Sequence, residues 1–216
     1  MKTLALIALS GLAATAANAQ TFSFLGTPGS IPDNAPAGLT LNTGAVAGAN
    51  ATISTVSVSI DFSTATGAPG HTWIGDLIAT LTYTPSVGAP VSFSLMNRVG
   101  RVTTGFGDSS NITGIYTFAN GGGDLWAAAG LVGDAVAVAT GTYAATGANA
   151  ATALDMDAAF AGLSSTGTWS LVVVDAAGGD TGAVASASVT IGTIPTPGAA
   201  ALLGLGGLAA FRRRRA

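Results

Sequence analysis

Val56-Ser57-Val58-Ser59-Ile60-Asp61-Phe62 sets an apolar side chain at every second position, with Ser, Ser and Asp between. Successive side chains of a strand point to opposite faces, so the run predicts a strand with one buried and one wetted face. Ile53 joins the same apolar set, although the alternation is unbroken only from Val56. Outward from this stretch, Ile78 to Tyr83, Val91 to Leu95 and Val184 to Ile191 alternate similarly, the last as the final strand. Trp169 to Val174 is more continuously apolar and reads as a central strand. Turn-forming clusters separate these runs, at Gly67-Ala68-Pro69-Gly70, Pro85 to Pro90, Gly105 to Asn111 and Gly178-Gly179-Asp180. Short strands with frequent turns predict an all-β sandwich or barrel. The Ala-rich stretch from Ala127 to Ala161 is open between a long connection and a short helix near Asp155 to Phe160.

Both ends of the 216-residue chain read as targeting segments. Lys2, the apolar run Leu4 to Ala16 and the small residues of Ala17-Asn18-Ala19 predict a signal peptide over 1–19, cleaved before Gln20 by a signal peptidase. The competing reading is a buried N-terminal helix. At the other end Pro195 and Pro197 break the chain, Ala199 to Phe211 is apolar, and Arg212 to Arg215 closes it. Thirteen residues of helix reach about 20 Å, short of a hydrocarbon core of about 30 Å. Such a tail suits a sorting signal, with a plain C-terminal membrane tail as the alternative, and its arginines favour the cytoplasmic side. A single domain over 20–194 is expected between these segments.

That domain holds all ten acidic residues, every one Asp, against only Arg98 and Arg101, for a net charge of −8. The sign excludes nucleic acid as a partner, which needs a basic footprint, and argues against anionic lipid. With no Cys, neither disulfides nor thiolate metal sites are available. Stability is left to packing, with metal ions as a further candidate.

The tail PTPGAAALLGLGGLAAFRRRRA resembles the PEP-CTERM class of bacterial sorting signals, with Thr196 where that class has Glu. The resemblance implies an exosortase-like sorting enzyme as a partner. It also implies a chain exported to the cell surface or beyond, attached transiently or permanently to the inner membrane. Four further segments resemble the P domain (P/Homo B) found beside subtilisin-like proprotein convertases. They are Ile31-Pro32-Asp33-Asn34; Val56 to Ile60 with His71-Thr72-Trp73-Ile74-Gly75-Asp76-Leu77; Leu81 to Pro85; and Gly167 to Asp175 continuing through Gly179-Asp180-Thr181-Gly182. The HTWIGDL and GTWSLVVVD segments are the specific ones. Ser63 to Gly70 interrupts the family pattern, and the last strand lacks its usual tryptophan. The resemblance implies a jelly-roll-like β-sandwich that accompanies catalysis by other domains without performing it.

Candidate sites follow from both readings. His71 is the only histidine. A Ser-His-Asp arrangement needs it beside a nucleophile, and Gly107-Asp108-Ser109 offers only a three-residue likeness to one. The alternative is structural, with the ring capping a turn and bonding near Asp76. Asp76, Asp175 and Asp180 fall in the family-like motifs at strand ends and turns. Because some P domains bind calcium, they are candidate Ca²⁺ ligands, the alternative being that they satisfy turn amides. Asp155 and Asp157 make another acidic pair without an EF-hand pattern. Trp73 and Trp169 are expected in the core, whereas Trp126 is the candidate for a surface stacking contact. Asn50-Ala51-Thr52 and Asn111-Ile112-Thr113 are formal glycosylation sequons.

Together these observations favour an exported, non-catalytic accessory, adhesion or binding module, with extracellular polysaccharide or protein as its partner. A structural matrix or envelope component and a secreted hydrolase or protease-associated protein are the alternatives.

Overall fold

The computed structural model describes residues 18–25, 29–46, 51–63 and 70–195. Most of the expected signal peptide and the apolar tail lie outside these residues, as do residues 64–69 of the interrupting loop. In chain order the strands are β1 (Asn18–Ser23), β2 (Gly29–Ile31), β3 (Leu39–Asn42), β4 (Ala51–Phe62), β5 (Leu77–Pro85), β6 (Val91–Asn97) and β7 (Gly114–Gly123). Then come helix α1 (Leu125–Gly130), β8 (Gly141–Tyr143), helix α2 (Met156–Phe160), β9 (Gly167–Asp175), β10 (Gly182–Val184) and β11 (Ser186–Pro195). The described chain is all-β with two short helices.

Three sheets form, in the orders β1-β11-β4-β7-β8, β3-β9-β5-β6 and β10-β2. The pairs are antiparallel except β7 with β8. The inward rows of the two larger sheets meet in one hydrophobic cluster, with Val58, Ile60, Phe118 and Val189 from the first and Leu81, Tyr83, Trp169 and Leu171 from the second. Phe160 of α2 joins the same cluster, 5.1 Å from the Trp169 ring. Trp169 also stacks on Tyr83 at 4.2 Å, and the two are among the largest fully buried side chains. Burying such aromatic rings supplies much of a core's free energy.

The alternation from Val56 to Phe62 is realised in β4, where those apolar residues are buried and Ser57, Ser59 and Asp61 are half-buried. Ile53 is buried too, three positions before Val56, which a regular strand does not allow. A register shift on β11 resolves this, because Thr55 pairs with Gly192 and Ile53 with Thr193. Ser54 is thus the extra residue of a bulge that returns Ile53 to the core face. A side chain at Gly192 would put its Cβ 2.3 Å from Thr55 Oγ1.

Where the sequence leads to one final strand, the structure places two. Ala185 separates β10 from β11, and each joins a different sheet. The open Ala-rich stretch resolves into α1, β8, α2 and long connections, with α2 at the position foreseen near Asp155 to Phe160.

Candidate functional site

His71 lies where three chain segments cross. Its backbone bridges both Ile112 and Gly182. A Cβ on Gly182 would stand 2.2 Å from Gly70 O and 2.7 Å from His71 Cβ, so β10 passes directly over this residue. The 3-10 turn Ile74–Asp76 is pressed equally tightly against the following loop, since a Cβ on Gly75 would meet Phe106 O at 2.4 Å. Gly70, Gly75 and Gly182 therefore allow three backbones to approach where no side chain fits.

Inside this crossing the His71 ring is wholly buried and both nitrogens are occupied. Nδ1 accepts from the Trp73 amide at 3.1 Å, and Nε2 lies 3.1 Å from Asp175 Oδ2. Because Nδ1 accepts, the hydrogen of the neutral ring sits on Nε2 and is donated to the carboxylate. The other Asp175 oxygen accepts from the Ala177 amide at 3.2 Å. The expected turn cap is thus present, but the carboxylate partner is Asp175 and not Asp76. The end of β9 has to face the 71–77 turn for this pair to form, and no local sequence pattern specifies that.

Asp76 is buried beside a different partner. Arg98 Nη2 lies 3.1 Å from its Oδ1, and Arg98 Nε donates to Gly75 O at 3.0 Å. Burial pushes the Asp76 carboxyl above its ordinary range, Arg98 opposes that, and the nearby Asp175 and Asp180 charges add to the rise. Asp180 accepts from Thr72 Oγ1 at 2.7 Å. The Asp33 carboxylate accepts weakly from the Gly179 amide, so the 31–34, 71–77 and 175–182 segments converge on one end of the molecule.

The three candidate calcium ligands are therefore neighbours, but each carboxylate already has its own protein partner. Among the described residues, no group of three or more His or Asp side chains is arranged to hold a metal ion. Asp155 and Asp157 do different work from each other. Asp155 caps α2 through the Ala158 amide, and Asp157 accepts from the Val56 amide at 2.7 Å, just past the last β4–β7 pair at Ser57.

A His-Asp pair is two thirds of a hydrolase triad, yet its chemistry needs a nucleophile on the free imidazole nitrogen. Here that nitrogen faces a backbone amide in a site closed to water. The Ser109 hydroxyl donates instead to Asp134. Asp108 Oδ1 accepts from the Ser110 amide and hydroxyl, the bonding of a tight turn.

Of the tryptophans, Trp169 is buried as expected. Trp73 is only half-buried, and its Nε1 donates to Phe106 O at 3.2 Å. Trp126 packs against the core and its Nε1 is buried without a partner, which turns it away from a surface stacking role. Asn111 is buried, its Nδ2 donating to Ala135 O, so that sequon is closed to a glycan; Asn50 lies outside the described residues. Sequence reasoning missed Arg98, although a scarce cation near a buried Asp is a signal for such a pair. No protein-family model matches the chain, and a search of curated proteins finds no match.

Proposed function

We propose that this chain is an exported, surface-sorted β-sandwich module that acts by binding or adhesion and not by catalysis. The observation that carries the reading is the His71–Asp175 pair, whose donors and acceptors are spent on Trp73 and Ala177 inside a closed crossing of three segments. Such a pair fixes loops in place and offers no free base. The same proposal includes the finer fold, a jelly-roll-like sandwich resembling the P domain. It is supported by the convergence of the 31–34, 71–77 and 175–182 segments. The tail from Pro195 is proposed as the signal for an exosortase-like enzyme, on its three-part layout alone.

A structural matrix role is the second reading, favoured by the outer sheet faces. Hydroxyl pairs such as Thr21–Thr190, Ser59–Thr117 and Thr82–Ser92 lie on them. Faces built of such small side chains suit close lateral packing.

The test has two arms. Antibody labelling of whole cells should detect the intact chain and lose the signal to the medium when the chain ends after Pro195. Equal display of both forms overturns the sorting role. The purified chain should leave casein and chromogenic ester and glycoside substrates intact, whereas turnover abolished by Ser109→Ala would establish an enzyme. Growth of large assemblies with concentration, in place of discrete ligand binding, would select the matrix reading.

A further inference from the structure

The outer face of the five-stranded sheet carries a shallow cavity of about 260 Å³. Two cross-strand rows build it: Ser186, Asp61 and Ile115 in one, Ser23, Ser188 and Ser59 in the next. Adjacent strands stand about 4.8 Å apart, so these side chains form a small grid. The cavity arises because β1 ends at Ser23 and the chain crosses at Phe24, whose amide donates to Ala187 O. Strand β1 therefore rims the second row and leaves the first uncovered on that side.

Some hydroxyls of the sheet faces pair with each other or with carbonyls, as Thr21 does with Thr190, Ser94 with Thr146 O and, at the cavity itself, Ser59 with Thr117. Within it, among the described residues, the Asp61 carboxylate and the Ser23, Ser186 and Ser188 hydroxyls have no hydrogen-bond partner in the protein. Among the described residues, Asp61 also forms no ion pair. Ile115 is 57% exposed at the rim and provides the apolar contact.

We propose that this cavity binds one ring of a neutral saccharide. A carboxylate with two free oxygens accepts from adjacent ring hydroxyls, serines donate and accept around them, and the apolar face of the ring rests on Ile115. The volume lies just under the roughly 300 Å³ at which small-molecule sites begin, which limits occupancy to one residue of a chain. One carboxylate with three hydroxyls falls short of the six to eight oxygens that calcium takes. Uronic acids are disfavoured by Asp61 itself and by the excess of Asp over Arg in the domain. A single ring in an open site binds weakly, and many copies displayed on one surface would hold a polymer through avidity.

This inference deepens the binding role proposed above and rests on it. Titration calorimetry would use the purified chain with cellohexaose, maltohexaose, mannohexaose and chitohexaose, and with polygalacturonate as the anionic comparison. At least one neutral hexasaccharide should bind in the millimolar range. Asp61→Asn should weaken it about tenfold through loss of charged acceptors, and Ser188→Arg, which fills the cavity, should abolish it. Both positions face solvent, and circular dichroism on the same samples checks the fold. No binding by any of the four, equal binding by Asp61→Asn, or stronger binding of polygalacturonate overturns the proposal. A chain that still depends on its tail for surface display but binds no saccharide loses this inference and keeps the broader role.

Discussion

Replacing Asp175 by Asn removes a charge and almost no volume, yet it should be among the more damaging single changes in the domain. The hydrogen bonds around His71 run in one direction. The Trp73 amide donates to Nδ1, Nε2 donates to one Asp175 oxygen, and the Ala177 amide donates to the other. The carboxylate ends this chain by accepting twice, which an amide cannot do. With its NH2 toward His71, Asn opposes two donors; with its NH2 toward Ala177, it opposes the backbone amide instead. Inverting the imidazole tautomer only moves the conflict to Trp73. Since His71 and Asp175 are both fully buried, water cannot relieve it. A buried donor left without an acceptor costs about 1–3 kcal/mol, more when the lost acceptor was charged, so a loss of about 2–4 kcal/mol is expected. Asp175→Ala, which leaves both the His71 Nε2 and Ala177 donors without an acceptor, should cost about 2–6 kcal/mol. For a domain of this size the Asn variant should melt about 6–12 °C lower. Urea unfolding followed by tryptophan fluorescence would measure both variants and the double change with His71→Ala. A loss under about 0.5 kcal/mol for Asp175→Asn, the range of an ordinary surface change, would refute this account of the pair.

Three further outcomes are expected. Asp76 holds its proton more tightly in the native chain than its ordinary value of 3.8 implies, because burial outweighs Arg98. Its stabilising contribution is therefore complete below that value and is lost as pH rises through the higher native one. The melting temperature of Asp76→Asn minus that of wild type should accordingly increase across this window, even though Arg98 loses its partner; a flat or falling difference contradicts the assignment. Tyr83 is pushed up to about 12 by burial, and burial raises Tyr116 and Tyr143 as well. Near pH 10 the native chain should show little tyrosinate absorbance while the urea-unfolded chain is about half ionised, and stability should fall as pH climbs beyond that point. Finally, because Asp76, Asp175 and Asp180 are each engaged by a protein group, added Ca²⁺ and then chelator should leave the melting temperature unchanged. A rise with calcium that disappears in Asp180→Ala would restore these carboxylates as ligands.

The sequence by itself determined the class of fold, because side-chain period is a local property. A strand with one face in the core must alternate, and Val56 to Phe62 shows this without reference to any partner. Tyr116 and Phe118 in β7 carried the same signal inside a stretch that sequence reading left without a strand. Short polar caps are local as well: Asp155 caps the helix at Met156–Phe160, a stretch that the sequence left open between a short helix and a long connection. Only the tertiary structure decided which groups meet. Asp175 lies 104 residues from His71, and nothing within either segment distinguishes it from Asp76 as the partner. The bulge that restores Ile53 to the core is defined only against the register of β11. The cavity around Asp61 exists because three strands from distant parts of the chain align their rows while a fourth ends early. Periodicity is written along one strand, whereas pairing, register and charge partnership arise between strands, so a single strand cannot specify them.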